Sequence, residues 1–146
     1  MTVNWFDRGA YNMFEKICYE DLNSRQQESF NFHKIAAHLA DYGFNCLRLS
    51  DDWQGADFIA CHIDGNTFLK VQLKGRLNID KKYCGKDIYM AFCDEGTWYL
   101  YQHDEVMDLL LAKGLMAGSR SWDEGGGYSW PYLSQQLKEI MQSYAI

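Results

Sequence analysis

Asp57 follows Gly55-Ala56 and opens the apolar run Phe58-Ile59-Ala60. Beyond Asp64-Gly65-Asn66, residue types that favour a chain reversal, a second run carries Lys70, Gln72 and Lys74 at positions alternating with Leu69, Val71 and Leu73. Alternate residues of a strand share a face. The pattern therefore predicts a hairpin over 56–63 and 67–74 that brings an acid, an amide and an amine together at one end. A carboxylate and a neutral oxygen suit a hard divalent cation, and an ammonium beside them can offset charge that develops on a phosphate oxygen. Metal-assisted hydrolysis of a phosphodiester asks for such a set.

An acid on one strand followed, after a hairpin, by Gln72-Leu73-Lys74 resembles the PD-(D/E)xK nuclease superfamily, in a Gln-x-Lys variant where the second acid is replaced. The resemblance spans about residues 24–103. It implies a restriction-endonuclease-like fold of the α/β (α+β) class, with a central mixed sheet of about five strands flanked by helices. It implies Mg²⁺ or Mn²⁺ as cofactor and nucleic acid, DNA ahead of RNA, as partner. By the same resemblance Asp57 is the metal carboxylate, Gln72 offers a second ligand, the Leu73 backbone carbonyl a third, and Lys74 stands beside the scissile phosphate. A neutral amide adds no charge, so the substitution weakens the expected hold on the metal. Members of the superfamily that cut both strands often dimerise, which makes a homodimer one expected arrangement. The alternative is a catalytically weak or inactive module of the same fold that binds nucleic acid or a protein partner.

These residues must be positioned by the elements around them. Apolar residues at Phe32, Ile35, Ala36, Leu39 and Tyr42 predict a helix over about 25–41 with one buried stripe. Asn23 and Ser24 read as its capping residues, Ser24 with Gln27 as a capping box, and Gly43 as its stop. Glu28 falls on the sheet-facing stripe, where an acid needs a partner or a metal; by resemblance it is the fourth catalytic member. Gln27 and Asn31 compete for that place, and the loop acids Asp51 and Asp52 could complete the metal shell instead. An earlier helix is predicted over 8–21 from Tyr11, Phe14, Ile17, Cys18 and Leu22. Phe44–Leu49 reads as a strand, 50–55 as a polar loop, and Ile88–Cys93 as a central strand buried on both faces. Thr97–Tyr101 follows as a strand, then a helix over about 104–113. Residues 75–87 read as a polar connection. Residues 114–130, with Gly125-Gly126-Gly127, read as irregular, and 131–144 as a last helix with Pro131 in its first turn. One domain over 1–146 is expected, with a C-terminal helical part over about 104–146.

The chain has 146 residues, 47% of them hydrophobic and 16% aromatic, and a net charge of −6, which argues against a strong nonspecific nucleic-acid binder. The charge is uneven. Residues 70–86 hold six basic residues against Asp80, and the rest of the chain holds 8 basic and 19 acidic residues. Arg76, Lys81, Lys82, Tyr83 and Lys86 are accordingly the candidates for contact with a nucleic-acid backbone, which positions a duplex without reading its sequence. Trp53, Trp122 and Trp130 are the aromatic residues expected at a partner surface. Five scattered cysteines, never spaced Cys-x-x-Cys, read as small buried hydrophobes of a cytoplasmic, reducing environment and offer no four-ligand zinc spacing. His33 and His38 read as ordinary helix residues. No apolar run reaches the length of a membrane span, and no secretory leader is expected from Met1–Asp7.

Overall fold

A computed structural model describes residues 13–146. Five strands form a mixed sheet in the order β1-β2-β3-β5-β6: β1 (Phe44–Trp53), β2 (Ala56–His62), β3 (Phe68–Leu73), β5 (Ile88–Asp94) and β6 (Thr97–Gln102). β4 (Leu77–Asp80) leaves the sheet and pairs antiparallel with β7 (Gly127–Trp130). The helices are α1 (Ser24–Ala40), α2 (His103–Ala112), the short α3 (Arg120–Asp123) and α4 (Gln135–Met141). This α+β architecture, a mixed five-stranded sheet flanked by helices, is the one expected.

The sheet separates two apolar cores. On one face Phe32, Ile35 and Leu39 of α1 pack on Phe58, Ala60, Val71, Ala91 and Trp98. On the other, Val106 and Leu110 of α2 and Leu137 and Met141 of α4 pack with Ile88, Met90, Phe92, Tyr99 and Tyr101. β5 contributes to both, with Ala91 on the α1 side and Met90 and Phe92 opposite, as a continuous apolar run on a central strand requires. The β2–β3 hairpin forms as the sequence indicates. Phe58 pairs with Val71 and Ala60 with Leu69, and the Asp64 carboxylate closes the turn by accepting from the N–H groups of Asn66 and Thr67.

Several expectations are corrected. Asn23 caps α1, and the capping box is Asn23 with Gln26 rather than Ser24 with Gln27: Asn23 accepts from Gln26 N–H and the Gln26 side chain accepts from Asn23 N–H, because the amide of Asn23 caps at least as well as the hydroxyl of Ser24. Of the earlier helix, residues 8–12 lie outside the described residues. From 13 to 22 only a 3₁₀ turn, Tyr19–Asp21, forms, and Phe14 and Ile17 are exposed, so the apolar stripe has no core to enter. β1 runs on to Trp53 with a register irregularity after Arg48, which leaves only Gln54-Gly55 as the turn. The connection 75–87 contains β4, whose Leu77 and Ile79 are fully buried. Residues 114–130 contain α3 and β7 rather than a loop. Ser134, not Pro131, leads into the last helix, its hydroxyl accepting from Leu137 N–H. The cysteines are not core residues: Cys18 and Cys84 are exposed and the other three half-buried. Of the tryptophans expected at a partner surface only Trp53 is exposed; Trp122 is buried and Trp130 packs against the core.

Candidate active site

β2 runs antiparallel to β3, and β5 runs parallel to β3. The start of β2, the end of β3 and the end of β5 therefore meet at one end of the sheet. The pairing of Phe58 with Val71, continued by one residue, sets Asp57 opposite Gln72 on the same face. The Asp57 carboxylate is tied down there: Leu73 N–H donates to its Oδ2 at 2.7 Å. Gln72 Nε2 donates to the Leu73 carbonyl at 3.3 Å. Lys74 follows directly, its N–H donating to Ala91 O at 2.9 Å and anchoring the strand end on β5. The three side chains expected to act together thus come from two adjacent strand ends, and all three residues are half-buried.

What sets the Lys74 ammonium was not legible in the sequence. Lys74 Nζ lies 5.2 Å from the centroid of the Tyr83 ring, a separation at which the ring quadrupole attracts a cation. Lys82 Nζ lies 5.0 Å from the same ring. Tyr83 is only 5% exposed, meets His103 edge-on at 5.5 Å, and packs beneath Gly55: a Cβ at Gly55 would stand 2.9 Å from Tyr83 Cε1. One buried ring therefore joins the turn before Asp57 to the ammonium of Lys74. It does so from a 3₁₀ turn, Lys81–Tyr83, that no local pattern links to either. Tyr83 was expected at a nucleic-acid backbone; its burial places the ring inside the molecule instead.

Glu28 was expected on the sheet-facing stripe of α1. Its side chain is 55% exposed and lies 3.7 Å from Arg48 Nη2, an exposed ion pair of the kind worth little to stability. Arg48 is held in turn by Ser29 Oγ at 2.8 Å and lies over the Phe32 ring. Glu28 and Asp57 nonetheless line one open cleft of about 560 Å³, with Arg25, Arg48, Ser50 and Asp51. Asp51, a loop acid by expectation, enters this cleft from β1. Gln27 and Asn31 turn elsewhere, both toward Tyr19.

The basic residues divide. Arg76 and Lys82 are exposed. Lys81 donates to Trp122 O at 3.1 Å and covers the Trp122 ring at 4.6 Å, so much of its role is to fasten α3. Lys86 is half-buried and its carbonyl accepts from Lys70 Nζ.

Among the described residues, ligand atoms of Cys84, His103 and Asp104 also lie within 4.8 Å of one another. Both nitrogens of this fully buried histidine are in use: Nε2 accepts from Asp80 N–H at 3.1 Å and Nδ1 lies 2.9 Å from Asp104 Oδ1. A ligating histidine normally donates its second N–H outward, whereas this ring accepts there, so a metal would have to displace a core hydrogen bond. Burial pulls the Asp104 carboxyl up, but the hydrogen bonds from His103 and Gly85 N–H outweigh it and hold it below the usual range. Burial, then the nearby Asp104, Asp108 and Asp80, push the Cys84 thiol up, away from the thiolate that binds metals. The oxygen set at Asp57, Gln72 and Leu73 fits a hard divalent ion better than this group fits a soft one.

No protein-family model matches the chain, and no curated protein matches it. The solved structures similar to it include two nucleases. One is Hjc, a Holliday junction resolvase from the archaeal hyperthermophile Archaeoglobus fulgidus, at 16% identity over 48% of this chain and 74% of that one, with a TM-score of 0.36. The other is the bacterial homing endonuclease I-Ssp6803I, at 16% identity over 85% of this chain and 88% of that one, with a TM-score of 0.46. No helix among the described residues is long and apolar enough to cross a membrane.

Proposed function

We propose that this chain is a restriction-endonuclease-like nuclease that hydrolyses phosphodiester bonds, with DNA as its substrate and Mg²⁺ or Mn²⁺ as its cofactor. The observation that carries this reading is the Asp57 carboxylate fixed on Leu73 N–H at 2.7 Å, beside Gln72 and Lys74 at the same strand ends. Asp57, the amide oxygen of Gln72 and the Leu73 carbonyl would hold the ion, and Glu28, across the shared cleft, would add a second carboxylate. A divalent ion in such a site supplies Lewis acidity and favours ionisation of water. The chain's own part is positioning. Leu73 N–H orients Asp57, Tyr83 holds the Lys74 ammonium, and Lys74 faces the phosphate oxygens, where a preplaced cation lowers the barrier as negative charge grows. Water oxygen bonds to phosphorus, the bond from phosphorus to the leaving oxygen breaks, and the products are a phosphomonoester and a hydroxyl. Arg76, Lys82 and Lys86 would bind the backbone away from the cut.

The neutral Gln72 and the acidic body of the chain favour a second reading, a module of the same fold that binds nucleic acid or a protein without turnover. One assay separates the two. Purified protein is incubated with plasmid and single-stranded DNA in Mg²⁺ or Mn²⁺, beside an EDTA control and Lys74→Ala. The nuclease reading expects metal-dependent cutting, reduced roughly 10²–10³-fold by Lys74→Ala, the loss typical of one electrostatic stabiliser. No cutting of DNA or RNA by folded protein refutes it.

A further inference from the structure

A second cavity, of about 640 Å³, opens at the same end of the sheet on the α1 side, and Lys74 lines it too. Its walls are built rather than incidental. Trp98, only 6% exposed, is among its lining residues. Phe30 of α1 meets Tyr19 edge-on at 5.3 Å, and Tyr19 is fastened to α1 by Asn31 Nδ2 donating to its hydroxyl at 2.8 Å. Lys34 Nζ lies 5.2 Å from the Phe30 ring centroid, and His38 also lines the cavity. Two acids line it, Glu20 and Glu95; Glu95 is paired with Lys138 at 2.9 Å, and Lys34 sets an ammonium beside the Phe30 ring. Aromatic surface beside cationic side chains is the chemistry that receives a nucleobase and its phosphate. Lys74, next in the chain to the Leu73 whose N–H holds Asp57, lines the cavity, which puts the cavity and the carboxylate at the same strand end.

We propose that this cavity holds an unstacked base next to the scissile phosphate, so that the substrate is single-stranded DNA or DNA with unpaired nucleotides at the cut. The inference rests on the nuclease reading for its neighbouring phosphate but not for the pocket itself. Two measurements keep them apart. In EDTA, an oligonucleotide carrying 2-aminopurine is titrated with wild type, Phe30→Ala, Phe30→Tyr and Lys34→Ala, each checked for an unchanged far-UV spectrum and melting temperature. In Mg²⁺, cleavage of a perfect duplex is compared with that of the same duplex bearing an unpaired loop.

Fluorescence quenching by wild type is expected, with affinity reduced roughly 5- to 100-fold in Phe30→Ala, as for loss of one stacking partner, and recovered in Phe30→Tyr. Lys34→Ala, an exposed change, should weaken binding with less effect on quenching at saturation. Cleavage should favour the unpaired substrate. Equal cleavage of both substrates, with Phe30→Ala binding like wild type, overturns the pocket and leaves the nuclease reading standing. Quenching that depends on Phe30 without cleavage of any substrate supports the pocket and refutes turnover. Neither quenching nor cleavage refutes both.

Discussion

Gly55 is the hinge on which the site's geometry turns, and Gly55→Ala tests it. Two terms add at this position. Its φ is +92°, a conformation that costs a residue with a Cβ about 1–2 kcal/mol. The new methyl would also stand 2.9 Å from Tyr83 Cε1 and 3.4 Å from Ile88 Cδ1. The Tyr83 ring is hemmed by Lys74, Lys82 and His103 and has little room to retreat, so overpacking adds about 1–3 kcal/mol. Gly65 supplies the control: its φ is +73° and nothing lies within 4 Å of its added Cβ, so Gly65→Ala carries the backbone term alone. For a chain of this size each kcal/mol lowers Tm by about 3–4 °C, which gives a fall of roughly 6–20 °C for Gly55→Ala and roughly 3–8 °C for Gly65→Ala. Differential scanning calorimetry reads both. In a Tyr83→Leu background the extra penalty at Gly55 should disappear, leaving the backbone term. Equal falls for the two glycines in the wild-type background would refute the close packing of Tyr83 under Gly55.

Tyr83→Phe keeps the ring beneath Lys74 and should retain most cleavage activity, whereas Tyr83→Leu should lower kcat with little change in KM; a Leu variant as active as Phe, with its fold intact, would remove Tyr83 from the placement of Lys74. At the hairpin, the Thr67 hydroxyl and then the Asn66 and Thr67 N–H groups hold the Asp64 carboxyl well below its usual range. A carboxyl depressed in the folded state stabilises above its unfolded pKa of about 3.9 and loses that contribution as pH falls below it. Thermal melts from pH 7 to pH 2 should therefore show Asp64→Asn less stable than wild type at neutral pH, with the gap closing in acid; a gap independent of pH would exclude the carboxylate as its source.

The parts of the fold legible in the sequence are those whose signals are local. The stripe of α1 repeats at helical spacing over about three turns, the β2–β3 hairpin is marked by Asp64-Gly65-Asn66, and the β5 apolar run has no competing reading. The Asp57, Gln72 and Lys74 group was legible for the same reason, since one short hairpin carries all three. What escaped depends on partners far along the chain. Leu77-Asn78-Ile79-Asp80 is four residues among lysines, and its strand partner, Gly127–Trp130, lies about fifty residues on, so neither half declares itself alone. Phe14 and Ile17 have helical spacing, but a stripe makes a helix only where a core receives it. Glu28 has the right spacing for the core face, yet sits in the first turns of α1, where the helix overhangs the cleft and Arg48 draws the side chain outward. Tyr83 gave no signal of its packing role, because that role exists only when Gly55 and Lys74 are brought to it.

Gln72 is where the chain departs from the pattern it resembles, and the structure gives a reason the departure is tolerable. A carboxylate at 72 would face Asp57 across two strand ends and lie near the Leu73 carbonyl, three oxygen acceptors converging with two negative charges. Such a corner is repulsive until a cation enters. The amide avoids this. Its Nε2 donates to Leu73 O while Leu73 N–H donates to Asp57, so the protein's own groups hydrogen-bond the corner. Rotating the amide by half a turn exchanges the nitrogen for the oxygen, which is the arrangement a bound cation would favour. Gln72→Glu should therefore make the protein less stable in EDTA and more responsive to metal. One like-charge contact at a half-buried site costs about 1–4 kcal/mol, and tenfold tighter binding at saturating Mg²⁺ adds about 1.4 kcal/mol. Calorimetry should show Tm lower by roughly 3–16 °C in EDTA and a Mg²⁺-induced rise larger than that of wild type by roughly 4–6 °C. A variant that melts like wild type in both conditions would mean that residue 72 does not face Asp57, and the ligand set would then rest on Asp57, the Leu73 carbonyl and Glu28.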